Sequence, residues 1–292
     1  MNPVKRSLIN LHLTVIMLGG TALFSILIPL SALDITFGRS VPAFIFLFIF
    51  VKMSGESLRL NNKKDYFIGF GLGVLMAVHW VTYFAAMQYA TVSVGIIALF
   101  TFPVITVLLE PLFEKNRICW QDIVSALVVL LGIWLIVPSV SLSNDVTLGV
   151  AVGVFSAFLY AIRNLMHRKY FSHYPGSKAM AYQIMVICIC LVFFVSDDIA
   201  KIDIHSAGLL LLLGTVFTAL PHAMIATALK HLRAKTFSLV ACMQPFYGVL
   251  LAVIVLGESP TWQTLVGGLL VVSAAIYETV NAQKNKPQDI SQ

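Results

Sequence analysis

A small set of polar and aromatic side chains interrupts the apolar stretches of this sequence. His79 and Tyr83 are four residues apart, which places them on one face of a helix. Gln244 and Tyr247 share a face in the same way, and His222 ends a stripe of threonines. Polar groups in an apolar environment must find partners, so these side chains are candidates for ligand binding, with simple packing as the alternative. The candidates for substrate contact are His79, Trp80, Tyr83, Phe102, Tyr160, His222, Gln244 and Tyr247.

The residue types that catalyse reactions are not arranged for catalysis. The sequence has no Ser-His or paired-aspartate constellation, no His-Glu-x-x-His metal spacing and no glycine-rich nucleotide loop. Its four cysteines fall within or beside predicted helices, without the spacing of a disulfide framework or a metal site. We therefore expect no enzyme, no cofactor and no metal, with an intramembrane enzyme as the alternative that the pattern disfavours.

Two prolines and two charges inside apolar stretches are candidates for gating and charge recognition. Pro103 and Pro245 each lack an amide donor, which frees a carbonyl and predicts a helix kink. Glu110 could form a gate on the cytoplasmic side or simply be a polar group at a helix end, and no other carboxylate is expected inside the membrane. Arg39 lies deep in an apolar run, so it could contact a substrate carboxylate or a backbone carbonyl, or extend towards the external surface.

The composition places these residues in a membrane. Hydrophobic residues make up 59% of the 292 residues and charged residues only 11%, whereas soluble domains carry about a quarter charged residues. Between the charged clusters lie apolar runs of roughly 18–22 residues, each long enough to span a bilayer as a helix. The first run follows two basic residues but lacks a cleavage site, so we expect a membrane helix there rather than a signal peptide. The ten predicted runs are 8–30, 33–51, 66–87, 92–112, 120–138, 147–166, 178–196, 206–229, 236–256 and 262–281.

The basic residues predict the orientation in the membrane. All but two of the 19 Lys and Arg residues fall on one side if the runs alternate in direction; the exceptions are Lys201 and Arg39. Positively charged flanks of short loops stay in the cytoplasm. We therefore expect a multi-pass protein of a bacterial-type inner membrane with both termini cytoplasmic. The net charge of +6 follows this topology, and no nucleic-acid partner is expected.

One frame occurs twice in the chain. "PVITVLLEPLFEKNRICWQ" begins at Pro103 and "PFYGVLLAVIVLGESPTWQ" at Pro245, a shift of 142 residues without a gap. The turn at 88–93 is uncharged whereas its counterpart at 230–235 carries three basic residues, as expected for equivalent turns on opposite membrane faces. The prediction is an all-α integral membrane protein with ten transmembrane helices in two inverted-topology five-helix repeats. The first repeat covers residues 1–138 and the second 147–281, followed by a disordered cytoplasmic tail at 282–292.

These halves resemble the two EamA domains of the drug/metabolite transporter superfamily across essentially the whole chain. The resemblance rests on "YFAAMQYATVSVGIIALFTFPVITVLLEPLF" and "ATALKHLRAKTFSLVACMQPFYGVLLAVIVLGESPTWQTLVGGLLVVSAAIY". The second half has the typical Leu-Gly-Glu at 256–258, where the first half reads Glu-Lys-Asn at 114–116. The resemblance implies a central cavity lined by the first, third, fourth, sixth, eighth and ninth helices. It also implies export of amino acids or other small metabolites; a nucleobase, a sugar derivative or a drug-like compound is the alternative substrate.

Mechanism and assembly are only partly specified by the sequence. Small multidrug antiporters of the same superfamily use a carboxylate at the membrane centre, and this sequence has none there, which argues against drug-proton antiport. Proton coupling through His79 or His222 and uncoupled export both remain open. Glycines four residues apart, as at 69 and 73, favour close helix packing within the bundle or in a homodimer. The expected partners are a small-molecule substrate and the lipid bilayer, and the protein could be a monomer or a homodimer.

Overall fold

Helices form wherever the sequence is continuously apolar, because a helix satisfies its own backbone hydrogen bonds in lipid. A computed structural model describes residues 3–113, 118–137, 141, 143–222, 224 and 240–284 of the chain, and these residues contain helices and no strands. The helices are α1 (Pro3–Gly20), α2 (Phe24–Leu27), α3 (Ala32–Met53), α4 (Lys63–Tyr89), α5 (Val92–Leu99), α6 (Phe102–Phe113), α7 (Trp120–Ile136), α8 (Asp145–Tyr170), α9 (Gly176–Leu191), α10 (Ile204–Gly214), α11 (Gln244–Leu256) and α12 (Trp262–Lys284).

The predicted membrane spans agree with these helices. Seven helical segments are long and apolar enough to cross a membrane, and α7, α9 and α11 are shorter apolar helices. Each predicted run overlaps one of these segments, which confirms the all-helical membrane fold. The predicted basic turn at 230–235, the turn around Lys115 and Arg117, and most of the predicted tail lie outside the described residues.

The fourth and ninth predicted spans are interrupted rather than gently kinked. In the fourth span, α5 ends at Leu99 and α6 begins at Phe102, while in the ninth a turn at 242–243 precedes α11. Pro103 and Pro245 therefore lie in the first turn of a new helix, where a missing amide hydrogen costs little. A π-helical turn at 215–219 and a 3₁₀ turn at 21–23 interrupt two further spans. These irregular segments all adjoin the central cavity described below.

Helices of the first half pack directly on helices of the second. α4 runs along α8, α3 along α9, α1 along α11, and α7 along α12. Glycines permit the close approach: a Cβ at Gly149 of α8 would lie 2.8 Å from the Ala86 carbonyl oxygen of α4. Gly132 of α7 and Gly267 of α12 are in mutual backbone contact in the same way. The predicted pair Gly69 and Gly73 of α4 faces α9, where a Cβ would lie 2.7 Å from the Tyr182 ring and 2.5 Å from Val186, so this pair serves packing between helices of one chain.

The two ends of the helix bundle differ in charge. We call the end that contains residues 52–64 and 167–178 the basic end, and the end that contains residues 28–34, 89–93, 192–206 and 257–261 the acidic end. At the basic end, the Tyr174 hydroxyl donates to Asp65 (2.6 Å). At the acidic end, Asp203 caps α10, and hydrogen bonds from the hydroxyl and amide of Ser206 lower the pKa of its carboxyl. Polar groups thus concentrate at the two ends, where they satisfy the helix termini.

Candidate functional site

A cavity of about 680 Å³ lies between the two halves of the bundle. Its walls include most of the side chains that the sequence analysis selected for substrate contact or gating. The predicted residues that line it are Arg39, His79, Trp80, Tyr83, Phe102, Pro103, Tyr160, His222 and Gln244. Tyr247, Pro245 and Glu110 do not line it.

One wall of the cavity is aromatic. Tyr160 stacks on the ring of His79, with ring centroids 4.7 Å apart, and meets Phe102 edge to face at 4.9 Å. His79 in turn stacks against Tyr83 at 6.1 Å. The four rings come from three different helices, α4, α6 and α8. This wall suits a solute with an apolar or planar part.

The histidine in this wall is held by α8. Nδ1 of His79 lies 2.8 Å from the Ser156 hydroxyl and 3.1 Å from the Ser156 carbonyl oxygen. The same hydroxyl donates its hydrogen to the His79 carbonyl oxygen (2.9 Å). Because that hydrogen is already used, Nδ1 must be the donor in the contact with Ser156. A neutral His79 then keeps Nε2 as a hydrogen-bond acceptor.

Arg39 is buried in the wall of the cavity. Only 3% of the residue is exposed, and its guanidinium carbon lies 3.8 Å from the ring centroid of Trp80 and 4.6 Å from that of Phe84. Extension of Arg39 towards the external surface, one of the alternatives considered above, is therefore wrong. Nε of Arg39 and the hydroxyl of Tyr83 are buried without a hydrogen-bond partner in the described part of the chain. Two donors are thus available in this part of the cavity wall.

A second arginine, Arg163, lines the cavity and is not among the candidates chosen from the sequence. Arg163 follows Tyr160 by one turn of α8, close to the end of that helix, where a long basic side chain is expected to extend to the membrane surface. It donates instead to Oε1 of Gln183, from Nε (2.9 Å) and Nη2 (2.7 Å), and to Oδ1 of Asn164 (3.0 Å). Gln183 is fully buried in α9. Gln183 could have indicated this contact from the sequence, because an amide side chain deep in an apolar run needs a hydrogen-bond partner.

Carboxylates lie away from the cavity. The cavity walls contain no Asp or Glu within the described ranges. Glu110 pairs with Arg168 at the basic end. The expectation that Glu110 is the only carboxylate inside the membrane is wrong, because Glu278 lies within the candidate membrane span Trp262–Asn281 and is only 2% exposed. Sequence reasoning missed Glu278 because position along a helix does not show which face is buried.

Of the three predicted residues in α11, Gln244 lines the cavity and Pro245 and Tyr247 do not. The Tyr247 hydroxyl is 3.0 Å from Nδ1 of His12, which links α11 to α1. Gln244, which does line the cavity, places its amide nitrogen 3.5 Å from the carbonyl oxygen of Leu18, at the limit of a hydrogen bond. Pro245 is buried in the first turn of α11. Tyr247 is therefore a contact between helices in this conformation.

The cavity extends from the middle of the bundle to the basic end. His167, Gly176, Cys242 and Thr279, which belong to this half of the bundle, contribute to its walls. The contributing helices include α3, α9 and α12, which correspond to the second, seventh and tenth spans. The family resemblance implied six lining helices and did not include these three, so that prediction is incomplete.

Hydrogen bonds between the halves close the acidic end. Glu258 accepts from the amides of Val92 (2.7 Å) and Ser93 (3.1 Å) and from the Ser93 hydroxyl (2.6 Å), so its carboxylate caps the N-terminus of α5. Gly257 makes this possible, since its left-handed conformation (φ 68°) ends α11 and turns the chain back. Asp34 accepts from the amide and hydroxyl of Ser196 (2.9 and 2.8 Å). We call these two contacts the acidic-end latch.

A second depression, of about 690 Å³, opens on the acidic end beside Asp34. The carboxylate of Asp34 is already satisfied by Ser31 and Ser196. The central cavity, by contrast, presents buried donors without partners, which makes it the candidate site.

Comparisons with known proteins agree with this architecture. The model of the EamA-like transporter family matches residues 6–137 and 147–277. The uncharacterized transporter YxxF of Bacillus subtilis (strain 168) is 21% identical over 285 residues, covering 96% of this chain and 91% of that protein. The pseudopaline exporter CntI of Pseudomonas aeruginosa (strain UCBPP-PA14) is 25% identical over 248 residues, covering 85% of this chain and 86% of the exporter. A solved structure has the same fold, with a TM-score of 0.61 and 16% identity over 97% of this chain and 99% of that chain.

Proposed function

The chain belongs to the EamA-like transporter family, and we propose that it exports amino acids or related small organic metabolites by alternating access. The family and the named relatives are transporters, which confirms both the resemblance seen in the sequence and the expectation that the protein is not an enzyme. We propose the substrate class, the direction of transport and the location in an inner membrane.

The observation that carries the proposal is the central cavity between two similar halves. Its volume of about 680 Å³ falls within the range of small-molecule sites, roughly 300–1,000 Å³. Its walls combine an aromatic face with a few polar groups, as expected for a small organic solute. Interrupted helices on both sides of it supply the joints that rocking of one half against the other would need.

The direction follows from charge and from the closed end. If the basic end faces the cytoplasm, as the distribution of Lys and Arg favours, the cavity opens inwards and the acidic-end latch closes it outwards. An exporter loads its substrate in this conformation. A relative at 25% identity is named an exporter, which supports the same direction.

The aromatic wall is equally compatible with one alternative substrate within the transporter class. A planar solute such as a nucleobase would insert against Tyr160 and Phe102 as well as an amino acid with a large side chain would. A sugar derivative or a drug-like compound is not favoured by any particular contact. Identification of the exported compound decides between these substrates.

The experiment compares the medium of cells that overproduce the protein with that of cells producing a His222→Ala/Gln244→Ala variant at equal membrane level. We expect a small metabolite to be enriched by the unaltered protein and not by the variant, because both side chains line the cavity. A His205→Ala/Gln263→Ala variant removes the same residue types outside the cavity and should export normally. Equal enrichment by both double variants would reject the cavity as the transport site.

A further inference from the structure

The central cavity has two buried positive charges and, within the described ranges, no carboxylate in its walls. Arg39 stacks on aromatic rings, and Arg163 donates to the neutral side chains of Gln183 and Asn164. A buried charge without a counter-charge is costly. A ligand with negative charge would remove part of that cost when it binds.

Two donors in the cavity wall lack acceptors among the described residues. Nε of Arg39 and the hydroxyl of Tyr83 are buried, and neither has a hydrogen-bond partner among the described residues. Trp80 and Phe84, which contact the guanidinium, flank Tyr83 on α4, so the two donors belong to one corner. A guanidinium can only donate, and its planar fork matches the two oxygens of a carboxylate.

We propose that Arg39 and Tyr83 bind the carboxylate of an organic solute while the aromatic wall of Tyr160 and Phe102 holds its apolar part. This inference rests on the proposed carrier function and specifies its substrate class as carboxylate-bearing metabolites. Net-cationic solutes are rejected, because two fixed positive charges repel them and the described cavity walls offer no carboxylate. Arg39 already covers one face of Trp80 and one face of Phe84, each of which could otherwise attract a cation.

Four probes of similar shape and different charge test the proposal on the full chain in lipid nanodiscs. Phenylacetate is an anion, phenylalanine a zwitterion, phenethylamine a cation and phenyl phosphate an oxyanion of another kind. Binding is followed by the fluorescence of Trp80, which lies against Arg39. The other tryptophans are replaced by Phe, and each is at least 65% exposed on the bundle surface: Trp120, Trp134 and Trp262.

We expect phenylacetate to change the Trp80 emission saturably and phenethylamine to have no effect. Arg39→Gln should weaken phenylacetate binding about ten- to a hundredfold, the range for loss of a charge-assisted hydrogen bond. Arg39→Lys should restore part of the affinity, since it keeps the charge without the fork. Tyr83→Phe should weaken binding less, and Lys201→Gln, which removes an exposed charge, should leave it unchanged.

Binding of phenethylamine as tight as that of phenylacetate would overturn the proposal, as would no response to phenylacetate at millimolar concentration. Tighter binding of phenyl phosphate would reject a carboxylate in favour of a phosphate ester. The exported compound gives a second readout that separates this inference from the proposed function. An exported metabolite without a carboxylate would refute the carboxylate site and leave the carrier function supported. Saturable phenylacetate binding without any export would refute the export function and leave the carboxylate site supported.

Discussion

The acidic-end latch predicts how one substitution shifts the conformational equilibrium. Glu258 accepts three hydrogen bonds from Val92 and Ser93 at the N-terminus of α5. Glu258→Gln removes the negative charge from the helix N-terminus and replaces one acceptor oxygen by a donor. Hydrogen bonds to a charged group contribute about 1.5 to 3 kcal/mol. If these hydrogen bonds form only while the acidic end is closed, their loss should raise the fraction of molecules with an open acidic end about 10- to 150-fold.

The assay measures access to the cavity from the acidic end. Leu99, at the end of α5, lines the cavity and is 6% exposed. A Leu99→Cys protein without the four native cysteines is labelled by a membrane-impermeant maleimide added outside intact cells. When opening is fast compared with labelling, the rate is proportional to the open population. We expect Glu258→Gln to raise that rate at least about tenfold.

Glu56→Gln is the matched control, because Glu56 is exposed at the basic end and its nearest cation, Lys178, is 4.0 Å away. It should label at the rate of the unaltered sequence. An unchanged rate in Glu258→Gln, with protein at equal level in the membrane, would refute the role of the latch.

Three further substitutions test the packing and charge assignments. Ser156→Ala removes the hydroxyl bonded to His79 but leaves the carbonyl contact. Thermal unfolding in detergent should therefore show a free energy of unfolding lower by about 1 kcal/mol. An unchanged free energy of unfolding would contradict the contact between Ser156 and His79. Gly149→Val forces two methyl groups against the backbone of α4, and we expect unfolding at a temperature several degrees lower, or little protein in the membrane; wild-type stability would reject the close contact. Gln183→Leu leaves Arg163 without its main acceptor, so stability should fall by about 1 to 3 kcal/mol, whereas Gln183→Glu, which supplies a counter-charge, should remain folded.

The membrane fold was predictable because lipid restricts the structures that a chain can adopt. A segment such as 63–89 must be helical, since its backbone groups find no other partners in hydrocarbon. The positions of the two helix interruptions were also indicated, because Pro103 and Pro245 each remove a helical hydrogen bond and clash with the preceding turn, although Pro42 and Pro111 show that a helix can continue through a proline. The form of these interruptions was not predictable from the sequence. Whether the chain bends or breaks near a proline depends on how the neighbouring helices pack.

The candidate site was predictable in its polar residues and less so in its charges. His79 and Gln244 attracted attention because they are polar within apolar runs, and both line the cavity. The burial of Arg39 against Trp80 depends on how two different helices, α3 and α4, pack together, and the contact of Arg163 with Gln183 depends in the same way on α8 and α9. Long side chains reach several environments from one backbone position, so their partners follow from the packed structure only.

The most direct test of the account is the efflux rate of the enriched metabolite from preloaded cells when the cavity is narrowed. Leu18 lines the cavity, whereas Leu250 lies on the outer surface of α11 with 44% exposure. With equal amounts of protein in the membrane, we predict that Leu18→Trp lowers efflux to the level of cells without the protein and that Leu250→Trp leaves it unchanged. Equal efflux from the two variants would contradict transport through the central cavity.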